Sequence, residues 1–251
     1  MIKIEKYVVG SGENELYKML KNNIPQEDVY MNCRLDGKFL DVCEDIYFVA
    51  HENGVILSRL WMCYPKHSNA VSNWGAFFTL EEHRGKGIGS KVLDFCFSEI
   101  AKLDNPPIGL FCTAGKPWLA KMYGKYGFVP ALKNTSYGAL YCPIKKSPET
   151  FQDLCKSYYT PAKELRAVKA TFEWRNEIDC LLNFAMQDLG QSYAINGECN
   201  LYNILISTPQ RDAKVILTED NKCVGWMLDG QIKVYPLYED LLKALTIQLS
   251  C

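Results

Sequence analysis

Histidine is scarce in this chain: three occur in 251 residues, and His51, His67 and His83 stand far apart in turn-like sequence. Cysteine is not scarce, but the spacing that would give it a role is missing. None of the eleven cysteines forms a C-x-x-C pair, and the closest two, Cys33 and Cys43, are ten apart. A structural zinc site or a disulfide framework therefore lacks its pattern, and stretches such as Phe95-Cys96-Phe97 read as reduced thiols used as small hydrophobes. Excess charge of one sign is also missing. The formal net charge is −1, with 17 basic and 15 acidic residues through Lys145 and 11 and 14 after it. That excludes a broadly basic nucleic-acid footprint. No apolar run approaches the roughly 18 residues of a membrane span, and Met1-Ile2-Lys3-Ile4-Glu5 has no signal-peptide core. The expectations are no metal, no nucleic acid, no membrane and a cytoplasmic location. Two glycine loops are absent as well. No string has the P-loop spacing, and the dinucleotide fingerprint fails because its last glycine falls on Ser90 or Val92.

What is present is Arg84-Gly85-Lys86-Gly87-Ile88-Gly89, between an aromatic strand, Trp74–Thr79, and an amphipathic helix over Gly87–Leu103. Ile88, Val92, Leu93, Cys96, Phe97, Ile100 and Leu103 recur in that helix at three- and four-residue spacing. A helix start exposes amides without intrahelical acceptors, and the positive end of the helix dipole favours an anion there. Glycines let a ligand approach the backbone and permit positive φ. The amides from Gly85 to Ser90, with Arg84 and Lys86 adding charge, are thus candidates to hold a phosphate or pyrophosphate. Arg84, Gly87 and Gly89 fill the pattern [Q/R]-x-x-G-x-[G/A].

About 40 residues on, Ile108–Thr113 reads as a buried strand. It is followed by Trp118-Leu119-Ala120-Lys121-Met122-Tyr123-Gly124-Lys125-Tyr126-Gly127-Phe128-Val129, a short helix that stops at Gly127 and holds a Y-x-x-x-G-F string. Together the two motifs, in this order and on these elements, resemble the GNAT N-acetyltransferase superfamily over approximately residues 1–145.

The resemblance implies an α+β fold with a mixed, mostly antiparallel sheet flanked by helices, opened between its fourth and fifth strands to admit pantetheine. It implies acetyl-CoA as co-substrate and no metal. Phe77, Phe78 and Thr79 on the fourth strand and Arg84, Gly85, Lys86, Gly87, Ile88, Gly89 and Ser90 in the turn become the cofactor-binding candidates. Tyr123 becomes the acid that protonates the departing thiolate, with Tyr126 behind it. The reaction implied is direct transfer of an acetyl group to a primary amine of a small molecule, without a covalent enzyme intermediate. The alternatives are an acyl-CoA-binding module without turnover, and transfer of a longer acyl chain. An acyl-cysteine route through Cys112 has less to support it.

Two family features are missing. The segment Trp74–Thr79 holds no acid, so the general base stays open among Glu81, Glu82, His83, Glu44, Asp45 and a water relay. The Asn common at the start of the later helix is replaced by Lys116. Trp61, Tyr64, Trp74 and Trp118 either line an acceptor pocket or fill the sheet core.

The N-terminal domain is expected to start with a strand at Met1–Val9 and a helix at Glu13–Asn22. A hairpin, Ile46–Ala50 with Val55–Met62, then turns at Asn53-Gly54, and a strand follows at Ala70–Thr79. A second domain, 146–251, is expected to be a smaller α+β extension. Its helices are read at Ser147–Tyr159, Ala162–Leu189 (either continuous or broken near Trp174) and Tyr238–Leu249, and its strands at Leu201–Ser207, Lys214–Thr218, Cys223–Leu228 and Gln231–Tyr235. The hairpin at Glu219–Lys222 echoes the one at Asn53-Gly54 and raises a truncated, degenerate repeat as the alternative. Its role is open between walling the acceptor site and forming a homodimer.

Overall fold

Asn53 and Gly54 both lie at positive φ, 51° and 78°, the conformation that lets a two-residue turn follow the right-handed twist of its strands. The hairpin they close is longer than its apolar alternation suggests, joining β2 (Cys43–Glu52) to β3 (Val55–Pro65). The computed structural model describes residues 1–66, 71–145 and 147–249. His67 and the expected strand start at Ala70 lie outside the described residues. The chain divides into two compact units, Met1–Pro107 and Ile108–Cys251.

In the first unit β1 (Lys3–Val8) is followed by α1 (Glu15–Asn23) and α2 (Val29–Leu35), then β2, β3, β4 (Ser72–Thr79) and α3 (Ile88–Ile100). Neighbouring strands pair antiparallel in the order β1-β2-β3-β4. Both early helices begin on side-chain caps: Asn14 accepts from the Tyr17 amide and Asp28 from the Met31 amide, each at 3.1 Å. The second helix has no counterpart in the sequence reading, because seven residues are too few for a 3.6-residue period to show. α3 packs on β2 and β3 through Ile88, Val92, Leu93, Cys96 and Ile100, all buried. Burying an apolar side chain of this size is worth about 1.5–3 kcal/mol. Two aromatic contacts lock it, Phe48 with Phe95 at 5.9 Å and Trp74 with Phe97 at 5.4 Å between ring centroids. α1 contacts β3, whose alternation gives α3 the other face. The expected mostly antiparallel sheet flanked by helices is what these residues form.

In the second unit β5 (Gly109–Ala114), α4 (Pro117–Gly124), β6 (Val129–Pro130) and β7 (Gly138–Pro143) come first, with β7 between β5 and β6 in an antiparallel sheet. α5 (Phe151–Tyr158) follows, and its Phe151 meets Phe111 of β5 at 5.9 Å and Tyr141 of β7 at 6.0 Å. A second, smaller sheet is built from β8 (Leu165–Lys169), β9 (Ala213–Thr218), β10 (Cys223–Leu228) and β11 (Gln231–Val234), in that order and antiparallel throughout. Between β8 and β9 run a π-helical turn at Glu177–Leu182 continuing into α6 (Asn183–Asp188), and then α7 (Leu201–Ser207). α8 (Glu239–Leu249) closes the described chain.

Two readings of this region are corrected. Leu165–Lys169, taken as part of a long helix, is a strand because it pairs with β9 over Leu165↔Thr218 to Lys169↔Lys214. Leu201–Ser207, taken as a strand, is a helix: buried Asp179 accepts from the amides of Leu201 and Tyr202 at 2.7 and 3.3 Å and so caps it from another element. Burial raises the pKa of the Asp179 carboxyl, against the opposing pull of Arg175 and these amides. No helix of the described residues is long and apolar enough to cross a membrane, and none of their His, Cys, Asp and Glu side chains gather in a group of three or more that would hold a metal.

Candidate active site

The glycine-rich turn connects β4 to α3, and its three glycines serve different needs. Gly85 and Gly87 stand at φ 74° and 75°, with nothing near the position a Cβ would take. They are required by backbone conformation and leave the turn's outer surface open. Gly89 has an ordinary φ, but a Cβ there would fall 2.8 Å from Phe77 Cζ and 3.0 Å from Thr79 Oγ1. Its missing side chain lets α3 pack against β4 rather than making room for an anion. The Lys91 amide donates to Gly87 O at 3.1 Å, which places Gly87 at the start of the helix. Gly85, Lys86, Gly87 and Ser90 are exposed, Gly89 is half-buried, and Ile88 is buried under the turn. Arg84 donates from Nε to Thr79 O at 3.1 Å, so this arginine ties the turn to the strand end as well as adding charge.

β4 itself is irregular. Arg59 of β3 pairs with Phe78 and Trp61 with Gly75, so Ala76 and Phe77 together face Leu60. This is a β-bulge, and Ala76 carries its strain at φ 50°. The bulge sends consecutive phenylalanines to different surroundings: Phe77 lies against Gly89, while Phe78 lies under the Arg59 guanidinium at 5.4 Å. Ser58 donates to Phe78 O at 2.7 Å and lies 3.0 Å from Thr79 Oγ1, which fixes the strand end. Phe77 and Thr79 are thus brought together with Arg84 and Gly89 of the turn, whereas the Phe78 ring turns to Arg59.

Tyr123 belongs to the second unit. It is buried on α4, and its motif has a backbone explanation. Gly127, at φ 89°, is the C′ residue of a Schellman cap: its amide donates to Gly124 O at 3.2 Å and the Phe128 amide to Tyr123 O at 3.3 Å. The spacing from Tyr123 to Gly127 and Phe128 is the spacing of this cap. Tyr126 is half-buried beside it. Lys116 is the N-cap of α4 and makes no side-chain capping bond.

Most of the other candidates are engaged elsewhere. Asp45 is buried against Arg34, Nη1 to Oδ1 at 2.7 Å, and accepts from Trp61 Nε1 at 2.8 Å. Glu44 accepts from the Tyr64 hydroxyl at 2.6 Å. Glu81 and Glu82 are exposed. Burial pushes the Cys112 thiol pKa up, which disfavours the thiolate an acyl-cysteine route needs. Trp61 and Trp74 are core residues on opposite sheet faces and so do not line one pocket, while Trp118 is 67% exposed. Sequence reasoning missed Arg59 and the bulge. The available signal was a single charge inside the apolar run Val55–Met62.

Residues 43–130 match the family model described as Acetyltransferase (GNAT) domain. The GNAT resemblance holds over this stretch. The match includes β2–β4, the turn, α3, β5 and α4, and it ends before the C-terminal sheet. No curated protein matches the chain in sequence. Among solved structures, an acyl-CoA N-acyltransferase from Pseudomonas aeruginosa is 20% identical with a TM-score of 0.43, covering 57% of this chain and 99% of that one. A GNAT-family acetyltransferase from Staphylococcus aureus Mu50 is 17% identical with a TM-score of 0.41, covering 58% and 100%. Arabidopsis thaliana Naa50, solved in complex with the bisubstrate analogue CoA-Ac-MVNAL, is 16% identical with a TM-score of 0.39, covering 57% and 99%. At these scores none of them carries an acceptor or a site geometry over to this chain. The GNAT match supports acyl-CoA-dependent acyl transfer.

Proposed function

We propose that this chain is an acetyl-CoA-dependent N-acetyltransferase that moves an acetyl group directly to a primary amine of a small molecule. The observation that carries the reading is the turn 84–90: an exposed helix start with two positive-φ glycines, inside a segment that matches a GNAT domain. The fit is of charge and shape. A helix N-terminus suits a pyrophosphate, and the space outside Gly85 and Gly87 is open. In this reading the amides of Gly85–Ser90 hold the diphosphate, and Arg84 and Lys86 add charge. The bulged backbone at Ala76–Thr79 faces the pantetheine arm. Acetyl-CoA supplies the activated acyl group as a thioester.

The chain's residues then have three tasks. Backbone amides near Thr79 stabilise negative charge developing on the acyl oxygen. The Tyr123 hydroxyl gives its proton to the departing thiolate. The acceptor must be a neutral amine, and with Glu44 and Asp45 engaged by Tyr64 and Arg34 its proton passes to Glu81, Glu82, His83 or water. That same engagement favours a second reading, an acyl-CoA-binding module without turnover. Release of CoA thiol with a panel of amines separates the two: turnover above the amine-free rate supports the transferase, and CoA binding with none supports the module.

Residues 146–251, which lie within the compact unit Ile108–Cys251, we take as an α+β extension, with a truncated repeat as the alternative. The order β8, two helices, β9, β10, β11, α8 repeats the order β1, α1, α2, β2, β3, β4, α3. The second copy has Tyr235–Tyr238 with Pro236 where the first has its glycine turn, and Glu239 and Asp240 open its last helix. Carboxylates there repel a phosphate, so in the repeat reading cofactor binding falls to the first copy. Ten free thiols among the described residues suit a reducing, cytoplasmic location.

A further inference from the structure

Two arginines are buried on the face of the first unit's sheet that lies away from α3. Arg34, 0% exposed, is neutralised by Asp45 and caged by Tyr30 and Trp61, whose rings lie 4.8 and 4.7 Å from its Cζ. Arg59, 7% exposed, has no carboxylate partner among the described residues. Its bonds go to neutral groups: Nε donates to Asn23 Oδ1 and Nη1 to Ala76 O, each at 2.6 Å. A buried cation is ordinarily paired, because desolvation without a counter-charge is costly. Here desolvation draws the Arg59 pKa downward, partly offset by the Tyr47 hydroxyl and Asp28, and Asp28 is committed to capping α2.

The guanidinium is held rigidly while part of it is left unused. Nε and Nη1 fix the plane between the end of α1 and the β4 bulge, and Phe78 lies beneath it. Nη2 makes no hydrogen bond among the described residues and is not sealed from solvent. Because Asn23 Oδ1 accepts from Arg59, the Asn23 amide nitrogen is left as a further donor, with no acceptor among the described residues. Asn23, Ala76 and Phe78 are all half-exposed. A fixed cation flanked by a second donor, beside the strand that faces the acyl group, has the chemistry to receive a carboxylate.

We propose that Arg59, with Asn23, binds a carboxylate of the acceptor, so that the substrates are amines that also carry an acid group, such as amino acids. The inference rests on the acetyltransferase reading and narrows its acceptor. The bonds to Asn23 and Ala76 position the fork, and the acceptor's carboxylate supplies the missing counter-charge.

The test is CoA release from acetyl-CoA with α-amino acids and with their matched carboxamides, together with calorimetric titration of CoA. The parent should prefer carboxylate to carboxamide by about 100-fold in kcat/KM, the scale expected when a buried charge loses its partner. Arg59→Gln should bring that ratio close to one, with the Kd for CoA within about threefold of the parent. Arg59→Lys, which keeps the charge without the fork, should retain part of the preference. A purely structural role would lower both rates together and leave the ratio unchanged, which overturns the proposal. Equal rates for the two acceptor series in the parent, or transfer confined to amines without an acid group, also overturn it, and neither result depends on the folding of a variant. A folded parent that binds no CoA overturns the underlying reading and the proposal with it, while a parent that binds CoA and ignores the carboxylate overturns the proposal alone.

Discussion

Phe128 closes over Tyr123: their rings lie 5.6 Å apart, and the Phe128 amide donates to the Tyr123 carbonyl at 3.3 Å. Ring packing on Phe128 and the backbone cap hold Tyr123 in place on α4. Tyr123→Phe removes only the hydroxyl. We expect the melting temperature and the Kd for CoA to change little, while kcat falls by about 10²-fold, within the range of general acid catalysis. The loss should shrink with an acyl donor whose thiol has a low pKa, since such a leaving group needs less help. Near-parent kcat with chemistry limiting the rate would leave Tyr123 a capping residue and make Tyr126 the next to replace.

Gly89→Ala tests the packing of α3 on β4. With 2.8 Å to Phe77 Cζ, the added methyl should destabilise by about 1–3 kcal/mol, as overpacking does. Phe77→Leu should relieve part of that, and the double-mutant cycle should show coupling of about 0.5 kcal/mol or more. Urea titration of the four proteins measures both. Additive effects would mean that Phe77 does not set the limit.

The Arg34–Asp45 pair makes a larger claim on stability. Asp45→Asn keeps the shape and leaves the Arg34 charge uncompensated at a site 0% exposed. A loss of about 3 kcal/mol or more is expected, the scale for breaking a buried ion pair. A change below about 1 kcal/mol in the urea-derived stability would contradict the burial of that pair.

Much of the first unit was legible because its signals are local. Asn53-Gly54 names a hairpin turn, α3 shows its period over thirteen residues, and the glycines between Arg84 and Gly89 mark a helix start. The missed parts depend on tertiary partners. α7 is a helix because Asp179, 22 residues earlier, accepts its first amide, and β8 is a strand because β9 pairs with it. No local pattern carries either fact. The candidate site divides the same way: the turn could be read from its glycines, whereas the Ala76 bulge and the bare charge of Arg59 exist only once β3 and β4 are paired.

The central claim is that the turn 84–90 holds the pyrophosphate of CoA, and the most direct test is calorimetric titration of CoA into the parent, Gly87→Asn and Gly87→Asp. Asn and Asp both tolerate the positive φ of position 87, and a Cβ there meets nothing within 4 Å, so all three proteins should fold alike. We expect the parent and Gly87→Asn to bind CoA, and Gly87→Asp to lose at least about tenfold in affinity because a carboxylate then stands where the anion must sit. CoA binding by Gly87→Asp equal to that of the parent, or no binding by a folded parent, would contradict the account.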